Sequence, residues 1–402
     1  MRLAVVGAGV VGVTTAYALL QDGHDVTVFE KCSTAAEGAS FANAGLLAPE
    51  WMGALAHEAF LASQSTGRPV WSGFLRRSPP APSMPDPGPA VCALSKAGAE
   101  ALSGLCDRLQ ITPDSHQGMM VVWKEPKHGT QAERLLAQVR RFGGEAHLMS
   151  ATQARELEIA LSADTTLHGA LVMPGTWSVN CRQFTLLLKA QAQQQGCRFE
   201  FGATVTGLDV KQEVRLQLDD RGTVSPAFDS VVLCAGTATS TLLESVGTSL
   251  PMHNWTGHTL SASLRQPLDA PVAVVHDLPG RVSMARMGQR IRVSGPLARA
   301  GQVTAAAAFK HLYEVLDSWF PGTVPRDKTS GVQEWQSDVV STPDALPLIG
   351  PTPVRGVWVN AAHGIHGWSM ACGSAMVLAD LLSGRNPALD VSPYLTTRWS
   401  GR

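Results

Sequence analysis

The chain has 402 residues, 45% of them hydrophobic and 16% charged; this exceeds what one hydrophobic core usually serves, so two folded domains are expected rather than disorder. Its 32 basic residues balance 33 acidic ones without a lysine–arginine run, which argues against nucleic acid as a partner. Seven scattered cysteines without a Cys-x-x-Cys pair argue against a disulfide framework and a zinc site, and no metal is expected.

In chain order, "RLAVVGAGVVGVTTAYALLQDGHDVTVFE" comes first. Leu3 to Val6 predict a buried strand, which runs straight into Gly7, Gly9 and Gly12 in the spacing G-x-G-x-x-G. No secretory leader or spanning helix is expected, and a cytoplasmic chain is the reading. Val10 to Gln21 predict a helix that is apolar all round, and Asp25 to Phe29 a second strand with Glu30 at its end. Gly7 permits the tight turn, Gly9 admits a pyrophosphate close to the backbone, and Gly12 lets helix and strand pack. The helix start offers free N–H groups and partial positive charge to phosphate. Glu30, 18 residues after Gly12, is placed to accept from ribose hydroxyls and would repel a 2′-phosphate, which argues against NADP.

Next, "GASFANAGLLAPE" (Gly38 to Glu50) is a small-residue loop whose polar members are Ser40 and Asn43. A plain NAD domain turns back quickly to a third strand; this loop instead suits a large flat cofactor, an ordinary surface loop being the alternative. Gly67 to Pro89, rich in proline and serine, predicts no regular structure. With Trp51, Trp71 and Phe74 nearby it reads either as a lid or membrane-touching surface or as a plain ordered loop. "GMMVVW" predicts a strand, Pro174-Gly175 a turn, and the residues after it a long helix. "CRFEFGATVTGLDV" predicts paired strands around Gly202. "FDSVVLCAGTATSTLL" predicts a strand at Val231 to Cys234, then a glycine turn at Ala235-Gly236-Thr237 before a helix. "PVAVVHDL" and "RIRVSG" predict antiparallel strands, with Arg290 and Arg292 facing solvent. Val357 to Gly364 reads as a last strand, followed by a helix from near Trp368.

Taken together, "VVGAGVVGVTTAYALLQDGHDVTVFE", "SFANAG", "QRIRVSG", "TPDALPLIGPTPV" and "HGIHGWSMACGSAMVLADLL" resemble, in order and over nearly the full length, the FAD-dependent amine oxidoreductases, the family of D-amino-acid dehydrogenase, glycine oxidase and sarcosine oxidase. The resemblance implies an α/β fold: a Rossmann-type FAD-binding domain (glutathione reductase-like) interleaved with a mixed α+β substrate domain that carries an antiparallel sheet. It places the FAD-binding domain near 1–90, 174–246 and 333–402, and the substrate-binding domain near 91–173 and 247–332. It implies oxidation of a D-amino acid to an imine, hydrolysed to a 2-oxo acid, with electrons passed to a quinone or other membrane carrier. A peripheral membrane contact or a hetero-oligomeric complex would then follow. A D-hydroxyproline or other imino-acid dehydrogenase, and a non-catalytic FAD-binding relay subunit, stay open as alternatives.

The cofactor residues implied are Gly7, Gly9, Val10, Val11 and Gly12, then Glu30 and Lys31. Ser40, Asn43, Ala44, Gly45 and Leu46 follow in the loop, and Val205, Ala235 and Gly236 beyond it. Gly364, His366, Gly367 and Trp368 complete the set, with the helix after them pointing its positive end at the flavin. FAD is expected to be noncovalent, because 336–342 holds no cysteine. For the substrate, close D-amino-acid dehydrogenases carry Leu-Arg-Pro between a tryptophan and the T-P-D motif. Here "EWQSDVVSTPD" aligns without a gap and puts Val339 where the arginine is expected. Either another arginine holds the carboxylate, with Arg286 as candidate, or the substrate is a ring amine, an N-substituted amino acid or an amine without α-carboxylate. His258 reads either as a substrate contact or as an ordinary strand histidine, and His363 either as a substrate-face residue or as one that holds a backbone carbonyl.

Overall fold

The computed structural model describes residues 1–66, 84–219, 223–299, 301–324 and 331–399. Most of the proline-rich stretch, with Trp71 and Phe74, lies outside the described residues; at its end a helix, Gly88–Leu109, has already begun.

The first sheet has the strand order Leu348–Pro351, Val357–Ala361, Ser230–Leu233, Arg2–Val6, Asp25–Glu30, Arg198–Phe201. All neighbours are parallel except at the Leu348–Pro351 edge. Leu3, Ala4 and Val5 are fully buried, as expected where both faces of a parallel sheet are covered and the strand reads as an unbroken apolar run. The helix Val10–Gln21 opens with Val10, Val11, Val13, Thr14 and Thr15, β-branched residues with modest helix propensity. Burial makes up the difference: it lies under the C-terminal helix Gly367–Leu382, and the Thr14 hydroxyl donates to Val10 O at 2.8 Å and lies 3.2 Å from Ala371 O.

That C-terminal helix also crosses Gly88–Leu109 backbone to backbone. A β-carbon on Gly98 would sit 2.0 Å from Ser369 O, and one on Gly373 2.8 Å from Leu94 O. Gly364–Leu382 is long and apolar enough to cross a membrane, yet 67% of that window is buried inside the protein: its apolarity is used in packing against two other helices.

The second sheet has ten strands among the described residues, mostly antiparallel, with Val274–Asp277 parallel to Ser115–Trp123. It touches the cofactor side where Leu46 and Leu47 pair with Ser178 and Trp177. The expected turn at Pro174-Gly175 is not there; both residues lie inside one long strand, Gly169–Val179. A register slip opposite, between Gln117 and Met119, absorbs the proline that regular pairing would exclude. The expected pairing around Gly202 is also corrected. Arg198–Phe201 joins the first sheet beside Asp25–Glu30, whereas Val205–Val210 pairs with Val214–Leu218 in a separate three-stranded sheet. Gly202, at φ +71, lets the chain change sheets.

Because Gly98 has backbone as its neighbour, Gly98→Ala should lower the thermal midpoint by overpacking, at a cost of about 1–3 kcal/mol. Gly104→Ala in the same helix, where an added β-carbon meets nothing within 4 Å, should hold or raise it. Calorimetry on the two variants checks the pair.

Candidate active site

A cavity of about 1490 Å³ runs between the two sheets, larger than the roughly 300–1,000 Å³ of a single small-molecule pocket. One end is the glycine turn. Gly7 holds φ +104, and a β-carbon there would lie 2.5 Å from Cys234 O; one on Gly12 would lie 1.8 Å from Gly7 O. The Ser40 hydroxyl accepts from Val10 N at 3.0 Å, leaving the next N–H groups of the first helical turn without intrahelical acceptors. Glu30 accepts from Ala8 N at 2.6 Å and Cys32 N at 2.9 Å. These two bonds use half of the roughly four acceptor positions of a carboxylate, and Glu30 lines the cavity. A glycine cradle, a helix start and an oriented acid fit the diphosphate and ribose of a dinucleotide.

Further in, the loop at 40–46 is fastened from both sides. Asn43 Oδ1 accepts from Gly45 N at 3.0 Å, and Asn43 O accepts from Arg292 Nη1 at 3.2 Å. Trp368 Nε1 donates to Gly45 O at 3.0 Å and the Ser369 hydroxyl to Leu46 O at 2.9 Å. Gly45 stands at φ +72, where a β-carbon would strike Met287. The C-terminal helix therefore begins at the loop, with Gly364, Gly367 and Trp368 on the cavity wall.

Of the cofactor residues anticipated from sequence, all line this cavity except Gly12, which packs helix to strand, and His366. His366 is 1% exposed, and neither ring nitrogen has a hydrogen-bond partner; it faces a small void beside Trp255, Leu297 and Ser341. Burial holds its pKa down to about 4. His363 lines the cavity and pairs Nε2 with the Ser374 hydroxyl at 3.0 Å, rather than with a backbone carbonyl. Burial, with His366 close by, pushes its pKa down to about 3. His258 lines the cavity edge-on to Phe309 at 5.3 Å between ring centres, its pKa lowered mainly by burial. Val339 lines it too, paired across strands with Trp255.

Arg286 does not line the cavity. Its Nε donates to Gly288 O at 3.0 Å, and its charge lowers the pKa of His116 after burial has done so. Strand alternation explains this: in Val282–Met287 it is Ser283 that faces the cavity, and a residue three positions on lies on the opposite face. Arg292 is buried rather than solvent-facing, and Arg290 is only partly exposed. Arg290 donates to Ser261, Ser263 and Gly331 O. Arg292, 8% exposed, holds the cofactor loop, and burial depresses its pKa to about 10.

Sequence reasoning also missed His276, Arg281 and Trp51 in the cavity wall. His276 stacks edge-on to Trp51 at 5.7 Å and meets the Ser283 hydroxyl at 2.9 Å. Burial first, then Arg281, hold its pKa near 4. The available signal was the polar pair His276-Asp277 at the end of an apolar strand, followed by the turn Pro279-Gly280.

A dinucleotide cradle continuous with a second chamber defines an FAD-binding oxidoreductase. The family profile described as DAO, FAD dependent oxidoreductase, matches residues 2–381. The chain is 31% identical to a D-amino acid dehydrogenase of Cereibacter sphaeroides, over 97% of this chain and 93% of that one. It is 29% identical to a D-amino acid dehydrogenase of Rhizobium rhizogenes, over 99% and 100%. Glycine oxidase from Geobacillus kaustophilus superposes with a TM-score of 0.78 at 22% identity, over 99% and 98% of the two chains, and shares the fold. The chain belongs to the DAO family of FAD-dependent oxidoreductases.

Three buried imidazoles, His276, His363 and His366, have folded pKa values of about 4, 3 and 4, below the ordinary value near 6.5. Folding keeps them neutral, so the unfolded chain binds the extra protons and stability falls as pH drops below about 6.5 towards 4. Unfolding at pH 5 should take up close to three protons from these groups, about one fewer in His366→Leu. Calorimetry in buffers of differing ionisation enthalpy measures the difference.

Proposed function

We propose that the protein oxidises a D-amino acid, binding FAD noncovalently. The observation that carries this reading is the single cavity joining the glycine turn and Glu30 to a chamber walled by His258, Val339 and His363. Gly7 and Gly9 would admit the diphosphate, Glu30 the ribose, and the fastened 43–46 loop the ring system. The cysteines on the cavity wall support a noncovalent cofactor. Burial raises the Cys32 pKa and pushes that of Cys234 to about 12, so both stand as thiols and not as nucleophilic thiolates.

FAD, when bound, supplies the two-electron acceptor for the hydrogen that leaves the substrate's α carbon. The chain's own residues set the conditions around it. The start of the C-terminal helix, at Gly367 and Trp368, turns partial positive charge towards the cavity and favours negative charge there. Burial favours the neutral imidazole at both His258 and His363, so near neutral pH these two side chains add little repulsion to the positive charge that develops on the substrate nitrogen. Trp51, Met52, Leu55 and Leu312 line the chamber with apolar surface, which limits water around the reacting carbon. The imine product is hydrolysed to a 2-oxo acid and ammonia.

The dehydrogenase name carried by the relatives supports an acceptor other than oxygen; we assign electron delivery to a quinone or similar membrane carrier, from the cytoplasmic face. Val339 in place of an arginine favours one further substrate class, cyclic imino acids. Anaerobic mixing of the holoprotein with D-amino acids, their L-forms and both hydroxyproline epimers should bleach the flavin with D-amino acids. Bleaching only by the cyclic compounds would move the assignment to them, and bleaching by none would end it.

A further inference from the structure

Three cationic side chains line the cavity among the described residues: Lys31, Arg134 and Arg281. Lys31 follows Glu30 at the dinucleotide end. Arg134 is engaged by Glu58, with Nε 3.4 Å from its carboxylate. Arg281 is exposed into the chamber beside Ser283 and His276. It takes part in no hydrogen bond or ion pair among the described residues.

Its backbone adopts an uncommon conformation. Arg281 holds φ +55, a left-handed conformation that glycine adopts freely and a long side chain does not. The turn that imposes it is braced. Asp277, 4% exposed, accepts from Gly280 N at 2.7 Å with one oxygen and from Trp319 Nε1 at 2.8 Å with the other. His311 Nε2 lies 3.0 Å from Gly280 O. A β-carbon on Gly280 would lie 2.5 Å from Asp277 Oδ2. The turn thus presents a guanidinium to the chamber at a position where glycine would be less strained, and such strain persists where the surroundings over-determine it.

We propose that Arg281 binds the substrate's carboxylate, the role that Val339 cannot fill and that Arg286, on the opposite face of its strand, does not reach. The assignment rests on the amino-acid oxidation proposed above. A planar guanidinium free of other partners can meet a carboxylate with two parallel hydrogen bonds.

Arg281→Gly tests this cleanly, because glycine suits φ +55 and the fold should keep its thermal midpoint and its flavin. Anaerobic flavin reduction in the holoenzyme should then need roughly 10- to 100-fold more D-amino acid for half-maximal rate. Reduction by the corresponding amines that lack a carboxylate should be unchanged. Arg281→Lys, which keeps the charge and loses the fork, should fall between. Independently, calorimetric binding of propionate to the oxidised holoenzyme should be lost in Arg281→Gly. An unchanged concentration dependence with D-amino acids, or an equal loss with amines lacking the carboxylate, overturns the role of Arg281 alone. Failure of every carboxylate-bearing amine to reduce the wild-type flavin removes the activity reading, and this role with it.

Discussion

The hydrogen bonds from Trp368 and Ser369 to the carbonyls of Gly45 and Leu46 join segments 323 residues apart in the chain. On them depends the shape of the cavity. They seat the start of the C-terminal helix against the small-residue loop, while Arg292 holds that loop from the other sheet through Asn43. Neither sheet alone encloses the chamber. The glycine contacts at Gly98 and Gly373 serve the same end, because they let the C-terminal helix approach close enough for its first turn to reach the loop.

A second constraint is electrostatic. Five titratable side chains on the cavity wall are ones whose burial favours the neutral form. His258, His276 and His363 are depressed, and the Cys32 and Cys234 thiols are raised. A helix start in such weakly screened surroundings acts more strongly than it would in water. Arg292 stands behind the loop as a buried cation, kept charged because even a pKa of about 10 stays well above neutrality.

Strand parity decides which of the plausible arginines has access to the chamber. Arg286 and Ser283 stand on one strand, Val282–Met287, and only the latter faces the cavity. Arg281 reaches it from the turn just before that strand. A sequence segment such as "GRVSMARMGQRIRVSG" offers four arginines with similar surroundings in composition. Their fates differ: one open to the chamber, one bonded to a neighbouring carbonyl, one tied to Ser261 and Ser263, one buried beneath the cofactor loop.

The residues from Leu3 to Glu30 determined their own structure and much of their purpose, since strand, glycine turn, helix and acid act over short distances and each has a local stereochemical reason. The same holds for the turn at Gly364 and the helix after it. Local pattern could not decide where Pro174 lies, because a slip in the partner strand at Gln117 makes room for it. Nor could it decide that Arg198–Phe201 and Val205–Val210 join different sheets, that Arg292 is buried, or that Arg281 and not Arg286 faces the chamber. Those outcomes depend on which strand lies alongside and which face is covered. Such contacts form between residues far apart in the chain, and only the assembled tertiary structure supplies them.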